Sequence, residues 1–414
     1  MDTVTATRTF HHVLTFLIIR VLPFYILTRI LINNFGMETT NEDMGVANRI
    51  REANDFAELC QIFGYAHEEH VVTTEDGYML TLHRILPKAV EGAKDIIRPT
   101  VYLQHGLLTS SELFVCITDA NRCLPFVLIE AGYDVWLGNN RGNKYSQNHI
   151  GKKTKSANFW NFSIDDFARY DIPNSIDFIL DHTKAEKLSY IGFSQGTAQA
   201  FAALSLHPEL NDKIGVFVAL APIMRPPGYS TPILDYVMKH FPSALFHVFG
   251  RKSMLSSVYY WQSVLPTAIL GKIIDISLIF LFNYHSRNIT KVQKVAGYAH
   301  IYCYSSVKAV VHWSQIMRNS AFHMYEEDRR ASSLVANASL ERFQRFPTDQ
   351  IKTSMVLIYG DQDTLIDIST LMEQLPDNIS VHKLEGYEHL DILWGKNVHL
   401  DVIPTVLEAL REQR

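Results

Sequence analysis

Residues 192–196 read Gly-Phe-Ser-Gln-Gly and match the pattern G-x-S-x-G, with Ser194 between two glycines. The apolar stretch at residues 187–193 predicts a strand before this serine, and the small residues at 197–207 predict a helix after it. Strand, tight turn and helix are the setting of a nucleophile elbow, in which the turn leaves no room for side chains beside the serine. The sequence therefore predicts that Ser194 is a nucleophile.

A serine hydroxyl is a weak nucleophile, so it needs a base and a carboxylate that orients the base. After a nucleophile elbow the acid and then the histidine follow, each on a loop behind a late strand. Residues 380–384 predict the last strand, and His389 lies in the loop behind it. We predict that His389 is the base, because His382 falls inside this strand and His399 inside the terminal helix.

The acid is expected in the loop behind the preceding strand, which residues 355–359 predict. Three aspartates, Asp361, Asp363 and Asp367, lie in or near that loop. Asp361 is placed to cap the turn, and Asp363 lies at the apex of the loop. The spacing alone leaves the choice among them open.

Hydrolysis of an ester also requires two backbone N–H donors for the oxyanion of the tetrahedral intermediate. One is expected from Gln195, which directly follows the nucleophile. The other is expected from the loop after an early strand, and residues 105–107, His-Gly-Leu, follow the strand predicted at 101–104.

The segments around these residues predict an α/β fold. Two strands joined at an Asp-Gly turn are predicted within residues 69–86, and a capping box at Ser163 predicts the start of a helix bent at Pro173. Strand, helix and strand at short spacing then indicate a mostly parallel sheet with helices on both faces. The strands predicted for that sheet are 101–104, 132–137, 187–193, 215–220, 355–359 and 380–384.

The strand rhythm stops for residues 224–348, which are rich in aromatic and long apolar runs. The longest run, 265–282, contains Lys272 and Asp275, which argue against a membrane span. We expect a helical cap that lines part of an apolar cavity.

Composition excludes several other classes of function. The chain has 414 residues, 47% of them hydrophobic, and a net charge of −5, so no nucleic-acid partner is expected. The basic cluster at 141–155 is expected to be a solvated loop. Neither a P-loop nor a G-x-G-x-x-G after a strand is present, so no cofactor is predicted. The two histidines in residues 67–70 have the wrong spacing for a zinc helix, so no metal is predicted.

The amino terminus differs from the rest, since residues 13–32 are almost entirely apolar. Arg20 interrupts this run, and no small-residue cleavage site follows it, so a secretory signal is disfavoured. A spanning helix fits the length, although an arginine near its centre costs roughly 2.5–3.5 kcal/mol. We predict a retained membrane anchor, either a single span, a hairpin bent at Pro23 or an interfacial helix.

Taken together, the motifs of this chain resemble the acid lipase family, which includes gastric and lysosomal acid lipases and membrane-anchored steryl ester hydrolases of fungi. The resemblance runs from about residue 60 to the end. The matching segments, besides the elbow, are residues 64–65, 69–78, 103–108, 134–142, 159–163, 170–173, 312–315 and 389–395.

The resemblance implies an α/β-hydrolase fold with a helical cap over an apolar acyl site. It also implies Ser194 as nucleophile, Asp363 as the acid, His389 as base, and Leu107 and Gln195 as oxyanion donors. Asp363 matches the acid of the family because Leu365 lies two positions after it and Asp367 four positions after it. The implied division is an anchor at 1–35, a linker at 36–57, a hydrolase core at 58–222 and 349–414, and a cap at 223–348.

Two departures from the animal members bear on the substrate. The amino-terminal signal looks uncleaved, and the cap has only Cys303 instead of a cysteine pair. Phe193 and the run at 197–201 are more similar to the fungal membrane-bound branch. We therefore expect a steryl ester hydrolase that acts on neutral lipid esters at a lipid droplet or endoplasmic reticulum membrane. The alternatives are a triacylglycerol lipase and, more remotely, a non-catalytic membrane tether.

Overall fold

The computed structural model describes residues 41–88, 98–327, 343–377 and 379–412. The membrane anchor predicted at residues 1–35 lies outside these ranges. Within them, no helix is both long enough and apolar enough to cross a bilayer.

A large twisted sheet forms the centre of the molecule. Its strands are β1 His67–Thr73, β2 Tyr78–Ile85, β3 Thr100–Gln104, β4 Asp134–Leu137, β5 Asn148–His149, β6 Leu188–Phe193, β7 Ile214–Leu220, β10 Ser354–Gly360 and β11 Ile379–Leu384. The strands lie in the order β1-β2-β4-β3-β6-β7-β10-β11, and β5 pairs with β2. The pairs from β4 to β11 are parallel, whereas β1, β2 and β5 are antiparallel to their neighbours. The predicted, mostly parallel α/β sheet is therefore confirmed.

Helices cover both faces of this sheet. In the first part of the chain they are α1 Asn41–Glu52, α2 Phe56–Ile62, α3 Leu124–Glu130, α4 Ile164–Asp166, α5 Ile172–Thr183, α6 Gln195–Leu206 and α7 Leu210–Lys213. After β10 they are α14 Ile368–Met372, α15 Asp391–Trp394, α16 Val398–Asp401 and α17 Ile403–Arg411. The terminal helix predicted as one piece is thus two helices, because Pro404 begins a new one.

The core is divided between the two faces because side chains alternate along each strand. Val101 and Leu103 of β3 belong to one buried cluster, whereas Tyr102 belongs to the cluster on the opposite face. Ile191 and Tyr190 of β6 are divided in the same way. Burial on both faces explains why these strands are continuous apolar runs in the sequence.

The segment between β7 and β10 forms a largely helical layer over one end of the sheet. Its helices are α8 Pro232–His240, α9 Ala244–Phe249, α10 Val258–Val264, α11 Thr267–Phe282, α12 Lys291–Gly297 and α13 Val307–Asn319, and a small antiparallel pair joins β8 Ser253–Met254 to β9 Ser305–Ser306. We refer to residues 223–327 as the cap. Its longest helix, α11, coincides with the apolar run that the sequence assigns to cap material.

The described part of the predicted linker is instead packed against the core. Helix α1 buries Ala47 and Ile50, which lie three residues apart on one face and contact the region of α12. The carbonyl of Ile50 also accepts a 2.7 Å hydrogen bond from Nε2 of His300 in the cap. The linker prediction is therefore wrong for residues 41–52, because these contacts with the cap attach the helix to the folded domain.

The prediction that residues 141–155 form a solvated loop is also wrong at the start of this stretch, where residues 141–143 and 146 are buried. Arg141 is buried, and its guanidinium donates to the carboxylates of Asp76 and Asp171 at 2.6–2.9 Å. A buried charge is tolerated only when it is paired in this way. Tyr78 also packs its ring against the guanidinium, 4.1 Å away.

Candidate active site

The turn after β6 places Ser194 where the sequence predicts the nucleophile. The backbone of Ser194 has φ 53° and ψ −122°, a strained conformation for a residue with a side chain. Helix α6 begins at the next residue. Predicted strand, turn and helix are all present, and the serine lies on the wall of a cavity.

The two glycines of the pentapeptide are required by close backbone packing. A Cβ on Gly192 would lie 2.9 Å from the backbone of Gly196 and Thr197. A Cβ on Gly196 would collide with the carbonyl groups of Gln104 and His105 at the end of β3. The elbow therefore packs against the neighbouring strand in a space that admits only glycine.

Asp363 and His389 come from two loops far apart in the chain and meet beside the cavity. Nδ1 of His389 donates to Oδ2 of Asp363 across 2.6 Å, and both side chains are buried. The second carboxylate oxygen, Oδ1, accepts from the N–H of Leu365 at 3.0 Å. His389 lines the same cavity as Ser194.

The other two aspartates considered from the sequence accept hydrogen bonds from backbone N–H groups. Asp361 accepts a 2.8 Å hydrogen bond from the N–H of Gly386, which joins the acid loop to the histidine loop. Asp367 caps helix α14 by accepting from the N–H of Thr370 at 3.2 Å. Of the three, Asp363 is the one whose carboxylate contacts His389.

The predicted oxyanion donors, Leu107 and Gln195, both border the cavity next to Ser194. Gln195 is the first residue of helix α6, so its N–H has no acceptor within the helix and lies at the positive end of the helix dipole. The loop that carries Leu107 lies close to Ser194, since a Cβ on Gly106 would be 3.1 Å from Cβ of Ser194.

His105 fixes the shape of this loop in its neutral form. Burial lowers the pKa of His105 to about 4, so the ring is uncharged near neutral pH. Nε2 accepts from the N–H of Asn140 at 3.1 Å, which leaves the proton on Nδ1 for the carbonyl of Gly106, 2.8 Å away. The sequence analysis placed this histidine in the loop expected to supply an oxyanion donor, without assigning a role to its side chain.

A cavity of about 210 Å³ opens onto Ser194 and His389. Its walls are mostly aliphatic and aromatic, and the cap contributes much of them. Cap residues on the wall include Ile223, Tyr229, Leu278, Phe282, Ile301, Trp313 and Met317. A serine at the floor of an apolar cavity is suited to attack an ester with an apolar acyl or alcohol group.

Two residues at the site were not assigned a role from the sequence. Trp313 donates from Nε1 to the side-chain oxygen of Gln195 across 2.8 Å, which joins helix α13 of the cap to the start of α6. Tyr284 donates its hydroxyl to Oδ1 of Asp363 across 2.6 Å. Trp313 belongs to a segment that resembles the acid lipase family, residues 312–315, whereas Tyr284 lies outside the segments with this resemblance.

Away from the cavity, Glu68, His70 and His182 place possible metal-ligating atoms within 4.8 Å of one another. Oε2 of Glu68 already accepts from Nη1 of Arg84 at 3.1 Å and from Nε2 of His70 at 3.0 Å. We assign no metal to this group, because the guanidinium neutralises the only carboxylate in it.

Comparison with known proteins agrees with this geometry. Residues 99–396 match a family model described as alpha/beta hydrolase fold, and residues 56–118 match a partial alpha/beta-hydrolase lipase region. A probable lipase of Schizosaccharomyces pombe is 48% identical over 370 residues, covering 89% of this chain and 82% of that protein. Gastric triacylglycerol lipase of Rattus norvegicus is 32% identical over 376 residues, covering 87% and 93% respectively.

A Crotalus adamanteus protein, named as a candidate lysosomal acid lipase/cholesteryl ester hydrolase, is 34% identical over 356 residues, covering 83% of this chain and 87% of that protein. Among solved structures, a candidate lipase from Sulfolobus solfataricus superposes with a TM-score of 0.55 at 16% identity. That match covers 84% of this chain and 95% of the other, and it shows a shared fold.

The sheet order and the elbow define an α/β-hydrolase. Within that class the chain belongs to the acid lipase family, as the lipase relatives over most of its length show. It is accordingly a carboxylic ester hydrolase with a serine nucleophile.

Proposed function

We propose that this chain hydrolyses steryl esters to a sterol and a fatty acid at a membrane or lipid-droplet surface. The observation that carries the proposal is the apolar cavity, which opens on Ser194 beside the paired Asp363 and His389. A polar or charged ester would lose its hydration there without gaining a partner, so the wall selects against it.

In the proposed reaction Ser194 Oγ attacks the ester carbonyl carbon while Nε2 of His389 takes its proton. Asp363 holds the ring through Nδ1 and stabilises the imidazolium that forms. The N–H groups of Leu107 and Gln195 stabilise the oxyanion. His389 then protonates the departing sterol oxygen, and a water molecule activated by the same ring hydrolyses the acyl-enzyme.

The cavity is smaller than the proposed substrate, so we propose that the cap moves during turnover. Cavities for drug-sized ligands usually measure about 300–1,000 Å³, and a steryl ester is larger than such ligands. The present cavity of about 210 Å³ holds only part of one. Helix α11, whose residues Leu278 and Phe282 form one wall, is the element that would have to shift.

Two observations support the steryl preference. Phe193 and the run at 197–201 resemble the fungal membrane-bound branch of the family. The Crotalus relative carries cholesteryl ester hydrolase in its name. The triacylglycerol alternative is favoured by the gastric relative, whose name specifies that substrate.

The cap also supports the proposed contact with a lipid surface. Nine of the thirteen exposed large apolar side chains in the described residues lie in the cap. We call these nine the cap face: Ile233, Tyr236, Phe241, Phe249, Tyr260, Trp261, Val264, Ile269 and Ile279. An excess of exposed apolar side chains in one segment is consistent with an interaction surface, and the apolar segment at residues 13–32 would supply a second attachment.

The decisive experiment compares cholesteryl oleate and triolein as substrates of the purified full-length protein in the same mixed micelles. Release of oleate measures both reactions on one scale, and the Ser194→Ala variant supplies the blank. We expect a higher kcat/KM for cholesteryl oleate. Equal or faster hydrolysis of triolein would reject the steryl preference, and activity confined to short soluble esters would reject the lipid substrate altogether.

A further inference from the structure

Tyr284 lies where the cap meets the acid of the triad. We propose that Tyr284, a residue of the cap, is a positioning residue that holds the carboxylate of Asp363 in the orientation in which it binds His389. The proposal rests on the triad roles given above and extends them to a residue of the cap. Its hydroxyl donates to Oδ1 of Asp363 across 2.6 Å, while His389 occupies Oδ2 at the same distance.

The aromatic ring adds a second constraint on the histidine. The ring of Tyr284 lies parallel to that of His389, with an interplanar angle of 5° and 6.0 Å between centroids. Tyr284 therefore contacts the acid through its hydroxyl while its ring borders the imidazole. It is itself buried, so the hydroxyl has a fixed direction.

The hydroxyl of Tyr284 stays protonated, and therefore remains a donor, near neutral pH. Burial, and then the charge and hydrogen bond of Asp363, raise the pKa of Tyr284 well above its ordinary value. A carboxylate with donors on both oxygens cannot rotate without losing one of them. Without Tyr284, Oδ1 would keep only the N–H of Leu365.

Neighbouring contacts show that the whole segment behind helix α11 is attached to both catalytic loops. The hydroxyl of Thr364, next to Asp363, donates to the carbonyl of Phe282 across 2.6 Å. The carboxylate of Glu388, next to His389, accepts from the N–H groups of His285 and Ser286 at 2.9 and 2.6 Å. A cap segment that contacts both loops can set the distance between them.

The attachment connects the substrate cavity to the triad. Helix α11 ends at Phe282, and the N–H of Tyr284 still donates to the carbonyl of Leu278 in its last turn. Leu278 and Phe282 both line the cavity. The same helix that contacts the substrate thus carries the residue that orients the acid, and a displaced cap would leave Asp363 less ordered.

The test is the Tyr284→Phe variant, assayed on a short soluble ester so that binding to lipid surfaces does not enter. We expect kcat to fall about tenfold with little change in KM, because a carboxylate that can rotate keeps the imidazole in its reactive orientation for less of the time. The acid limb of the kcat/KM profile should move to higher pH, because a carboxylate with one donor fewer binds imidazolium more tightly.

Tyr298→Phe is the matched control. Tyr298 is a buried cap tyrosine that donates across 2.6 Å to the partly exposed carboxylate of Asp275, away from the triad and the cavity. Thermal unfolding of both variants measures what each lost bond costs the fold. The fall in kcat and the shifted pH profile should occur only in Tyr284→Phe.

A double-mutant cycle separates positioning from a general effect on the fold. In an Asp363→Asn background, Tyr284→Phe should cause no further loss of kcat, because the group it orients is already gone. Full additivity in this cycle, or unchanged kcat in the single variant, would overturn the proposal. If Ser194→Ala and Asp363→Asn were themselves active, the proposed function would fail instead.

Discussion

The strained backbone of Ser194 is maintained by hydrogen bonds on both sides of the turn. Its N–H donates to the carbonyl of Leu220 at 3.0 Å, and its own carbonyl accepts from the hydroxyl of Thr197 at 2.7 Å. That hydroxyl in turn accepts from the N–H of Ile223 at 2.9 Å. A residue in such a conformation costs about 1–3 kcal/mol, so these contacts offset a strain that serves to expose the hydroxyl.

Replacing Ser194 with alanine should remove esterase activity, with a fall in kcat on the order of 10⁶-fold, because no acyl-enzyme can form. Covalent labelling by a fluorophosphonate probe checks this directly. We expect labelling of the intact protein and none of Ser194→Ala at equal thermal stability. Undiminished labelling of the variant would place the nucleophile elsewhere.

The Asp363→Asn and Asp361→Asn variants distinguish the two neighbouring carboxylates. The first should lower kcat about 10⁴-fold without unfolding the protein, since the imidazole loses the acceptor that sets its tautomer. The second should mainly affect stability, because Asp361 accepts from the N–H of Gly386. Steady-state kinetics and thermal unfolding of both variants test the assignment, and the reverse pattern would transfer the acid role to Asp361.

At the level of residues, the sequence was most informative where chemistry and geometry restrict the choice of amino acid. A G-x-S-x-G after a strand follows from the sterics of the elbow, and His389 follows from its place behind the last strand. Tyr284 could not be found in this way. Its partner Asp363 lies 79 positions away, and only the folded cap brings the two together.

Among the elements, a buried ion cluster joins helix α1, the cap and the loop behind β3. The carboxylate of Glu112 accepts from Tyr145 and from Lys144, and Oε2 is 3.0 Å from Nδ1 of His300. His300 in turn reaches the carbonyl of Ile50 in α1. Burial alone would raise the pKa of Glu112, but His300 and Lys144 outweigh it and lower the pKa to about 2.

The Glu112→Gln variant should be less stable by about 3–5 kcal/mol near neutral pH, because Lys144 loses its counter-charge and His300 and Tyr145 lose the carboxylate that they contact. A lowered pKa stabilises the fold above the unfolded value of about 4.3, and this contribution fades as pH falls towards 2. The difference in free energy of unfolding between wild type and variant should therefore shrink as the pH falls from the unfolded pKa towards 2. Urea unfolding at several pH values measures this difference.

The exposed Glu186 supplies the control for this measurement. Glu186→Gln removes one negative charge, as Glu112→Gln does, but it takes no partner away from a buried group. It should therefore change the free energy of unfolding by less than about 0.5 kcal/mol. A Glu112→Gln protein as stable as this control would show that the cluster contributes nothing to the attachment of α1.

The elements were predicted well where apolar pattern alone determines them. The parallel strands appear as continuous apolar runs because both faces are buried, and the capping box at Ser163 starts α4 as expected. Helix α1 was missed because its attachment depends on partners in the cap. The burial of Arg141 was missed because its two aspartates are 65 and 30 residues away.

For the whole molecule, the proposed function combines three features: the attachment proposed for residues 1–35, the cap face and the cavity at Ser194. A water-insoluble ester is concentrated in a lipid phase, so an enzyme held at its surface meets the substrate at a high effective concentration. This arrangement separates attachment from chemistry, because the residues of the proposed triad all lie beyond residue 190.

Deleting residues 1–35 should therefore release the protein from membranes while hydrolysis of a short soluble ester stays close to that of the full chain. Hydrolysis of cholesteryl oleate in droplets should fall much more, because the tether no longer concentrates the enzyme at its substrate. Carbonate-washed membranes, sedimented and blotted, measure release, and both esters are assayed on the same preparations. Partial release is compatible with the anchor, since the cap face retains affinity for lipid. In that case, adding a charge to the cap face with Trp261→Asp should complete the release.

A truncated protein that still sediments as fully as the intact chain would reject the anchor. A truncation that also abolishes activity on the soluble ester would assign residues 1–35 to the folded core instead.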